Sequence, residues 1–215
     1  MATKLIFNTT IIFLMVFSSI VGQDKNSEVA NYNYGIKIGL NFANFTGDGS
    51  EDFRTATGMH FGAIVRRYFS DNLYAQTEFI LSEKGGITES LIDTLSLDVT
   101  LALSYFEIPI LIGYDFMNST NSSLHPVIYG GPFLGIKSKS TIRGDFEDTH
   151  NELDYDDAKT FDYGLVLGGS MEFAIQSYRV ILDVRFVQSV TPFDKSSDNL
   201  DLRNSSIVGT VGFMF

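Results

Sequence analysis

The stretch Ile207-Val208-Gly209-Thr210-Val211-Gly212-Phe213-Met214-Phe215 decides the fold. Alternate residues of this stretch are mostly apolar, while Thr210 and Gly212 lie on the opposite face. A period of two residues predicts a β-strand with one apolar face. The closing strand of a membrane barrel ends in this way, because its outer face contacts lipid and its backbone pairs with the first strand. We therefore expect a barrel that closes on its last strand.

The beginning of the chain predicts export. Lys4 forms a short basic region, an apolar stretch follows over 5–21, and small residues up to Gly22 are typical of a cleavage site. A membrane-anchor helix is the less favoured alternative, because polar residues leave the run shorter than the roughly 20 residues that a spanning helix needs. We expect a signal peptide over 1–22, a periplasmic N-terminal segment over 23–33 and an outer-membrane β-barrel domain over 34–215.

Composition narrows the class of protein. The formal charge is −11, and removal of Lys4 with the signal peptide would make it one unit more negative, so no nucleic-acid partner is expected. The chain has no cysteine, which excludes disulfides and thiolate metal sites. Its 19 Gly, 10 Tyr and 19 Phe suit the closely packed strands and aromatic girdles of an outer-membrane barrel.

Eight segments alternate between apolar and polar residues and predict eight antiparallel strands in an up-and-down barrel. Their approximate ranges are 34–45, 58–69, 73–83, 97–114, 126–139, 161–173, 178–190 and 203–215. Long connections over 46–57, 85–96, 140–160 and 191–202 alternate with shorter ones over 70–72, 115–124 and 174–177. Outer-membrane barrels have short periplasmic turns and long outer loops, so both termini are expected in the periplasm.

The fourth segment has an irregular pattern. Leu101, Leu103 and Tyr105 share one parity, but Ile108 and Ile110 continue the apolar face with the other parity. We expect the first group to face lipid as well, with a β-bulge near Glu107 that changes the parity before Pro109, a residue that cannot donate a ladder hydrogen bond.

Charged residues lie on the second face of the strands and are expected to fill the lumen as an ion-pair network. These residues are Arg66, Glu78, Glu107, Asp183 and Arg185. An eight-stranded barrel is just wide enough for its own side chains, so a proton or ion path is the less favoured alternative. A soluble lipocalin-type barrel is the runner-up fold, but it would leave charges unpaired in an apolar pocket, which is costly. The charges in question are Lys37, Arg66, Glu78, Asp183 and Arg185.

Four motifs resemble the PorT-like outer-membrane β-barrel family of Gram-negative bacteria. They are Tyr34-Gly35-Ile36-Lys37-Ile38-Gly39-Leu40-Asn41, Leu81-Ser82-Glu83-Lys84-Gly85-Gly86, Tyr105-Phe106-Glu107-Ile108-Pro109-Ile110 and Asp162-Tyr163-Gly164-Leu165-Val166-Leu167-Gly168. The resemblance spans nearly all of the mature chain and implies an eight-stranded outer-membrane barrel. One branch of the family takes part in protein secretion, but no motif links this chain to that branch.

Candidate chemistry is sparse. His60, His125 and His150 are the only histidines, and His60 is expected to face the lumen near the outer rim, most simply as a structural polar residue. A nucleophile and base cannot be assembled around it, so we expect no enzyme and no cofactor. The loop 143–157 is acidic but lacks the spacing of a calcium loop, and a solvated loop that could contact a protein partner is favoured.

The sequence thus predicts a small outer-membrane barrel, monomeric by default, with a structural or interaction role. An accessory role in protein secretion or transport and a rim-located lipid-modifying enzyme are the alternatives. The expected partners are outer-membrane lipid and, during biogenesis, the barrel-assembly machinery. The terminal strand resembles the recognition signal for that machinery, with Val211, Phe213 and Phe215 as its residues.

Overall fold

The computed structural model describes residues 32–92, 95–117, 122–146, 149–155, 157–194 and 201–215. The predicted signal peptide and residues 23–31 of the predicted N-terminal segment lie outside this part of the chain. Within it, no helix has the length and apolar character needed to span a membrane.

The described residues form nine strands and one short 3₁₀ helix at Ser50–Asp52. In chain order the strands are β1 (Tyr32–Thr46), β2 (Phe53–Tyr68), β3 (Leu73–Ile92), β4 (Leu95–Asp115), β5 (Leu124–Phe146), β6 (Thr149–Asp154), β7 (Phe161–Ile175), β8 (Tyr178–Pro192) and β9 (Arg203–Met214). Every strand but β5 and β6 pairs with two antiparallel neighbours, β5 pairs with β4, β6 and β7, and β9 pairs with β1. The predicted closed barrel of eight antiparallel strands is therefore confirmed, and β6 is an addition that pairs with β5.

The pairing fixes the size of the barrel. Each residue has a paired residue on the next strand of the barrel. A circuit that starts at Tyr32 and moves from partner to partner returns to β1 at Phe42, ten residues further along the strand. Eight strands with this stagger are tilted by about 40° from the barrel axis. A barrel of this size has an interior that side chains can fill.

The two faces of the strands differ in chemistry, as their sequence period predicts. Ile36, Met59, Leu182 and Val211 point outward and remain 47 to 55 % exposed, because no protein atoms cover them. Inward positions on the same strands hold buried polar side chains such as Lys37. The predicted faces of β1, β2, β3, β8 and β9 are confirmed.

The predicted change of face within β4 is wrong. Leu101, Leu103, Tyr105 and Glu107 are all buried at inward positions of one uninterrupted parity. The register does shift between β4 and β5, but the extra residue is Ser138 on β5. The apolar residues of β4 face inward because they fill the loop end of the lumen, and apolar character alone does not assign a side chain to lipid.

Two of the predicted long loops are largely strand. The hairpin of β3 and β4 extends through most of 85–96, and β5 with β6 occupies much of 140–160. The β-branched residues Ile87, Thr88, Thr141 and Ile142 favour an extended backbone at these positions. The loop end of the barrel therefore carries a sheet formed by β3, β4, β5 and β6, which we call the projecting sheet.

Candidate functional site

The inward charged residues gather in three clusters that are stacked along the lumen. The turn-end cluster lies where the short connections and the chain ends meet, and the central cluster lies in the middle of the barrel. The loop-end cluster lies closer to the projecting sheet, and an apolar plug separates it from that end of the barrel.

The turn-end cluster is built around two carboxylates. Arg66 on β2 donates two hydrogen bonds to Glu172 on β7, with N–O distances of 2.7 and 2.9 Å. Arg179 on β8 donates to Glu172 and to Asp115, each at 3.1 Å. Nδ1 of His125 lies 3.2 Å from both oxygens of Asp115. The cluster therefore links strands from opposite sides of the barrel.

The central cluster pairs two cations with two carboxylates. Glu78 accepts a hydrogen bond of 2.5 Å from Lys37 and two of 2.8 and 3.1 Å from Arg185. Arg185 also donates to Asp183 at 3.0 Å, and the hydroxyl of Tyr129 donates to the other oxygen of Asp183. The formal charges of the four ionised groups cancel, which favours their burial as a set.

The loop-end cluster has one cation between two carboxylates. Nζ of Lys84 lies 2.6 Å from Glu107 and 3.2 Å from Asp162. Ser189 donates a hydrogen bond of 2.9 Å to Asp162, and the Lys84 ammonium lies 4.4 Å from the ring centroid of Phe133. Lys84 therefore stabilises both carboxylates.

Above this cluster an apolar plug closes the loop end of the lumen. Phe45 stacks on Phe193 with ring centroids 4.6 Å apart. The buried members of the plug are Phe45, Leu101, Leu103, Tyr105, Ala158, Phe193 and Leu202. These side chains and the three clusters lie inside the described barrel.

All five residues of the predicted network are buried in the lumen, but they do not form one site. Glu78, Asp183 and Arg185 meet in the central cluster. Arg66 belongs to the turn-end cluster and Glu107 to the loop-end cluster. Glu107 pairs with a lysine and not with an arginine.

Several residues of these clusters were missed at the sequence level. They are Lys84, Asp115, His125, Asp162, Glu172 and Arg179. Each occupies an inward position of its strand, so the two-residue period could have identified them. The period could not have assigned their partners, which lie on other strands.

The histidines do not form a catalytic site in the part of the chain that the structure describes. His60 is 1 % exposed in the lumen, and its Nδ1 lies 3.4 Å from Oγ of Ser82. A membrane lipid would not reach this enclosed ring, so the geometry offers no support for a rim-located lipid-modifying enzyme. His125 belongs to the turn-end cluster, and the side chain of His150 is not among those that the structure describes.

The acidic loop offers no assembled cation site in the described residues. No group of three or more His, Asp or Glu side chains that could hold a metal ion occurs there. Of the loop's acidic residues, Glu147, Asp148 and Asp156 lie outside the described chain, as do the side chains of Asp145 and Glu152.

The predicted assembly-signal residues lie on the outer face of β9 and just beyond it. Val211, Phe213 and Phe215 are each 40 to 54 % exposed. Phe213 stacks on Tyr178 with ring centroids 5.2 Å apart, and the backbone of Phe215 exchanges hydrogen bonds with Tyr34. Phe213 and Phe215 therefore contribute to an aromatic rim at the turn end, and recognition of the terminal strand by the assembly machinery stays a prediction.

Comparison with solved structures gives small outer-membrane proteins of low sequence identity. The chain is 12% identical to Ail, the attachment invasion locus protein of Yersinia pestis, covering 86% of this chain and 99% of that one with a TM-score of 0.44. The chain is 12% identical to OprG from Pseudomonas aeruginosa, with 85% of this chain and 94% of OprG covered and a TM-score of 0.47. It is 13% identical to Neisserial surface protein A, with 83% of this chain and 95% of that one covered and a TM-score of 0.45. Similarity of this extent carries no inference about function.

Family membership rests on the sequence match. No curated protein matches the chain. The family model described as "Outer membrane protein beta-barrel domain" matches residues 21–195, which is most of the sequence. The protein belongs to this family and is a small β-barrel protein of the bacterial outer membrane.

Proposed function

We propose that the protein is an interaction protein of the outer membrane, in which the lumen stabilises the barrel and the projecting sheet binds a partner. The observation that carries this proposal is the length of β3 to β6 beyond the lipid-facing belt. On β3 the last apolar side chain that the structure describes as exposed is Leu81, but the strand continues to Ile92, about 35 Å further along the strand.

The sheet has an edge that suits strand addition. In the described residues β6 pairs with β5 on one side and with no strand on the other. An unpaired edge offers backbone donors and acceptors to an extended segment of another protein. The loop around β6 is acidic, and the whole chain carries a formal charge of −11, so we infer a basic extended segment as the partner.

The orientation that this function requires places the projecting sheet outside the cell and both chain ends in the periplasm. The short connections lie at the end of the barrel where β1 begins and β9 ends. In outer-membrane barrels the short turns are periplasmic, which supports this orientation.

Site-specific cross-linking tests the proposal, because the chain has no cysteine of its own. A photoreactive group attached at Leu153→Cys on β6, which is 67 % exposed, should give protein adducts in intact cells. The matched control is Leu165→Cys on the outer face of β7, which is 60 % exposed and should react with lipid alone.

Two outcomes would contradict the proposal. Absence of protein adducts from Leu153→Cys in cells that display the folded barrel would remove the binding role of β6. Large conductance steps from the purified protein in planar bilayers would show an open lumen, and a transport function would replace the proposed one.

An accessory role in protein secretion is a second candidate, and it rests on the resemblance to the PorT-like family. Lys84, Glu107 and Asp162 come from three motifs of that resemblance and meet in the loop-end cluster. Loss of secreted cargo on deletion of the gene would favour this role, and unchanged secretion would exclude it.

A further inference from the structure

Two adjacent arginines on β2 point in opposite directions. Arg66 faces the lumen and pairs with Glu172, whereas Arg67 is exposed on the outer face of the same strand. The geometry of a strand requires this difference, because successive side chains point to opposite faces. The guanidinium of Arg67 therefore lies outside the barrel, away from the charge clusters of the lumen.

Arg67 is the exception among the arginines of the chain. All seven arginines lie in the described ranges, and six of them form ion pairs with carboxylates. The six are Arg54, Arg66, Arg143, Arg179, Arg185 and Arg203. Arg67 alone pairs with no carboxylate among the residues that the structure describes. The barrel thus supplies a counter-ion to every other arginine and leaves that of Arg67 to its surroundings.

Two aromatic rings flank the Arg67 side chain. Its Cζ lies 5.6 Å from the ring centroid of Tyr32, the paired residue on β1, and 5.9 Å from that of Phe69. Both distances lie within the roughly 6 Å over which a ring attracts a cation. Tyr32 and Phe69 are themselves 45 and 60 % exposed on the outer face. We call Tyr32, Arg67 and Phe69 the arginine patch.

The arginine patch lies at the depth of the lipid head groups. Along β2 the exposed apolar residues Met59 and Phe61 precede Arg67, and the short turn at 70–72 follows it. Aromatic side chains mark the membrane–water interface of outer-membrane barrels, and Tyr32 and Phe69 place Arg67 at that level. Phospholipid head groups at this depth carry a phosphate, and the planar guanidinium can bind phosphate oxygens through two parallel hydrogen bonds.

We propose that Arg67 binds the phosphate of a phospholipid in the leaflet at the turn end of the barrel. Tyr32 and Phe69 hold the guanidinium at the height of that phosphate. The site lies at the opposite end of the barrel from the projecting sheet, so it does not depend on partner binding there. In the orientation proposed above, the bound lipid belongs to the periplasmic leaflet.

Lipid titration followed by native mass spectrometry tests the proposal on the full mature chain in detergent. The probe is dioleoyl phosphatidylglycerol, and dioleoylglycerol, which has the same acyl chains but no phosphate, is the control lipid. Arg67→Gln should weaken binding of the first phosphatidylglycerol about tenfold, because one charge-assisted contact is lost. Its binding of dioleoylglycerol should not change. Arg67→Lys should give an intermediate affinity, because it keeps the charge but not the two-pronged geometry.

Arg54→Gln is the matched control variant. Arg54 is also exposed on β2 but lies at the other end of the strand, where it pairs with Glu89 and Asp98. Its replacement should leave the affinity for phosphatidylglycerol unchanged. Equal affinities of the wild type and Arg67→Gln would overturn the proposal. Equal weakening by Arg54→Gln would also overturn it, since net charge alone would then explain binding, as would tight binding of dioleoylglycerol by the wild type.

A second measurement uses the wild-type chain folded in phosphatidylglycerol nanodiscs. In arginine-labelled protein, solid-state NMR should show dipolar coupling between the guanidinium ¹⁵N of Arg67 and lipid ³¹P. The Arg67 signal is assigned by its loss in Arg67→Gln. A folded sample in which this signal shows no coupling to ³¹P would rule out the phosphate contact.

Discussion

Replacement of Lys84 by methionine should be among the most destabilising single substitutions in the lumen. The Lys84 ammonium is buried, lies 2.6 Å from Glu107 and 3.2 Å from Asp162, and has no second cation beside it in the loop-end cluster. Lys84→Met keeps the volume of the side chain but leaves two carboxylates without a counter-ion. Breaking a buried pair in this way costs about 3–5 kcal/mol of unfolding free energy.

Lys37→Met is the matched comparison. Glu78 loses one partner in this variant but keeps both hydrogen bonds from Arg185. We expect a loss of about 2 kcal/mol, the usual value for one hydrogen bond to a charged group. We therefore expect a lower free energy of unfolding for Lys84→Met than for Lys37→Met, because the central cluster keeps a second cation and the loop-end cluster does not.

The assay is unfolding by urea with linear extrapolation of the free energy. The chain has no tryptophan, so the folded fraction is best measured by the gel mobility of unheated samples. In the triple variant with Lys84→Met, Glu107→Gln and Asp162→Asn, at least half of the lost stability should return, because the uncompensated charge is gone. Equal losses in Lys84→Met and Lys37→Met, or no recovery in the triple variant, would refute the assignment of the cost to buried charge.

Three further predictions concern closure, assembly and pH. Gly39→Ala should prevent closure of β1 on β9, because the new Cβ would lie 1.9 Å from the carbonyl oxygen of Gly209. In the control Gly209→Ala the new Cβ meets no atom within 4 Å, so this variant should refold as the wild type does in a gel-mobility assay. Phe215→Ser should lower the amount of barrel assembled in cells, measured in membrane fractions, but leave refolding in detergent unchanged. Burial and the neighbouring Asp194 raise the pKa of Tyr155 to about 12. The interaction of the Tyr155 hydroxyl with Asp194 therefore stabilises the fold below pH 10, and this stabilisation is lost as the pH rises to about 12. The difference in tyrosinate absorbance between wild type and Tyr155→Phe should show this late titration.

The lipid-facing side of the barrel could be predicted from the sequence because the membrane imposes a strict two-residue period. Ile38 and Val184 face outward where that period places them. The period fails where the interior is also apolar. Leu103 belongs to the plug, and its apolar character indicated lipid although its parity agreed with Glu107 further along the same strand.

The candidate site could be predicted only in part, because parity assigns a face but no depth and no partner. Arg66 and Arg185 share the inner face, yet the first pairs with Glu172 and the second with Glu78. The projecting sheet was missed for another reason. Ile87 and Thr88 follow each other in the sequence and are both half-buried, so this part of β3 shows no alternation from which a strand could be identified.

The pairing of charges across the lumen constrains how the barrel can enter the membrane. Arg66 and Glu172 are 106 residues apart in the chain, and Glu78 and Arg185 are 107 residues apart. A hairpin inserted alone would carry its charges into hydrocarbon without their counter-ions, at a cost of several kcal/mol for each one. Insertion of successive hairpins is therefore unfavourable, and the chain should cross the membrane in one concerted step, with the strands that carry each pair already side by side.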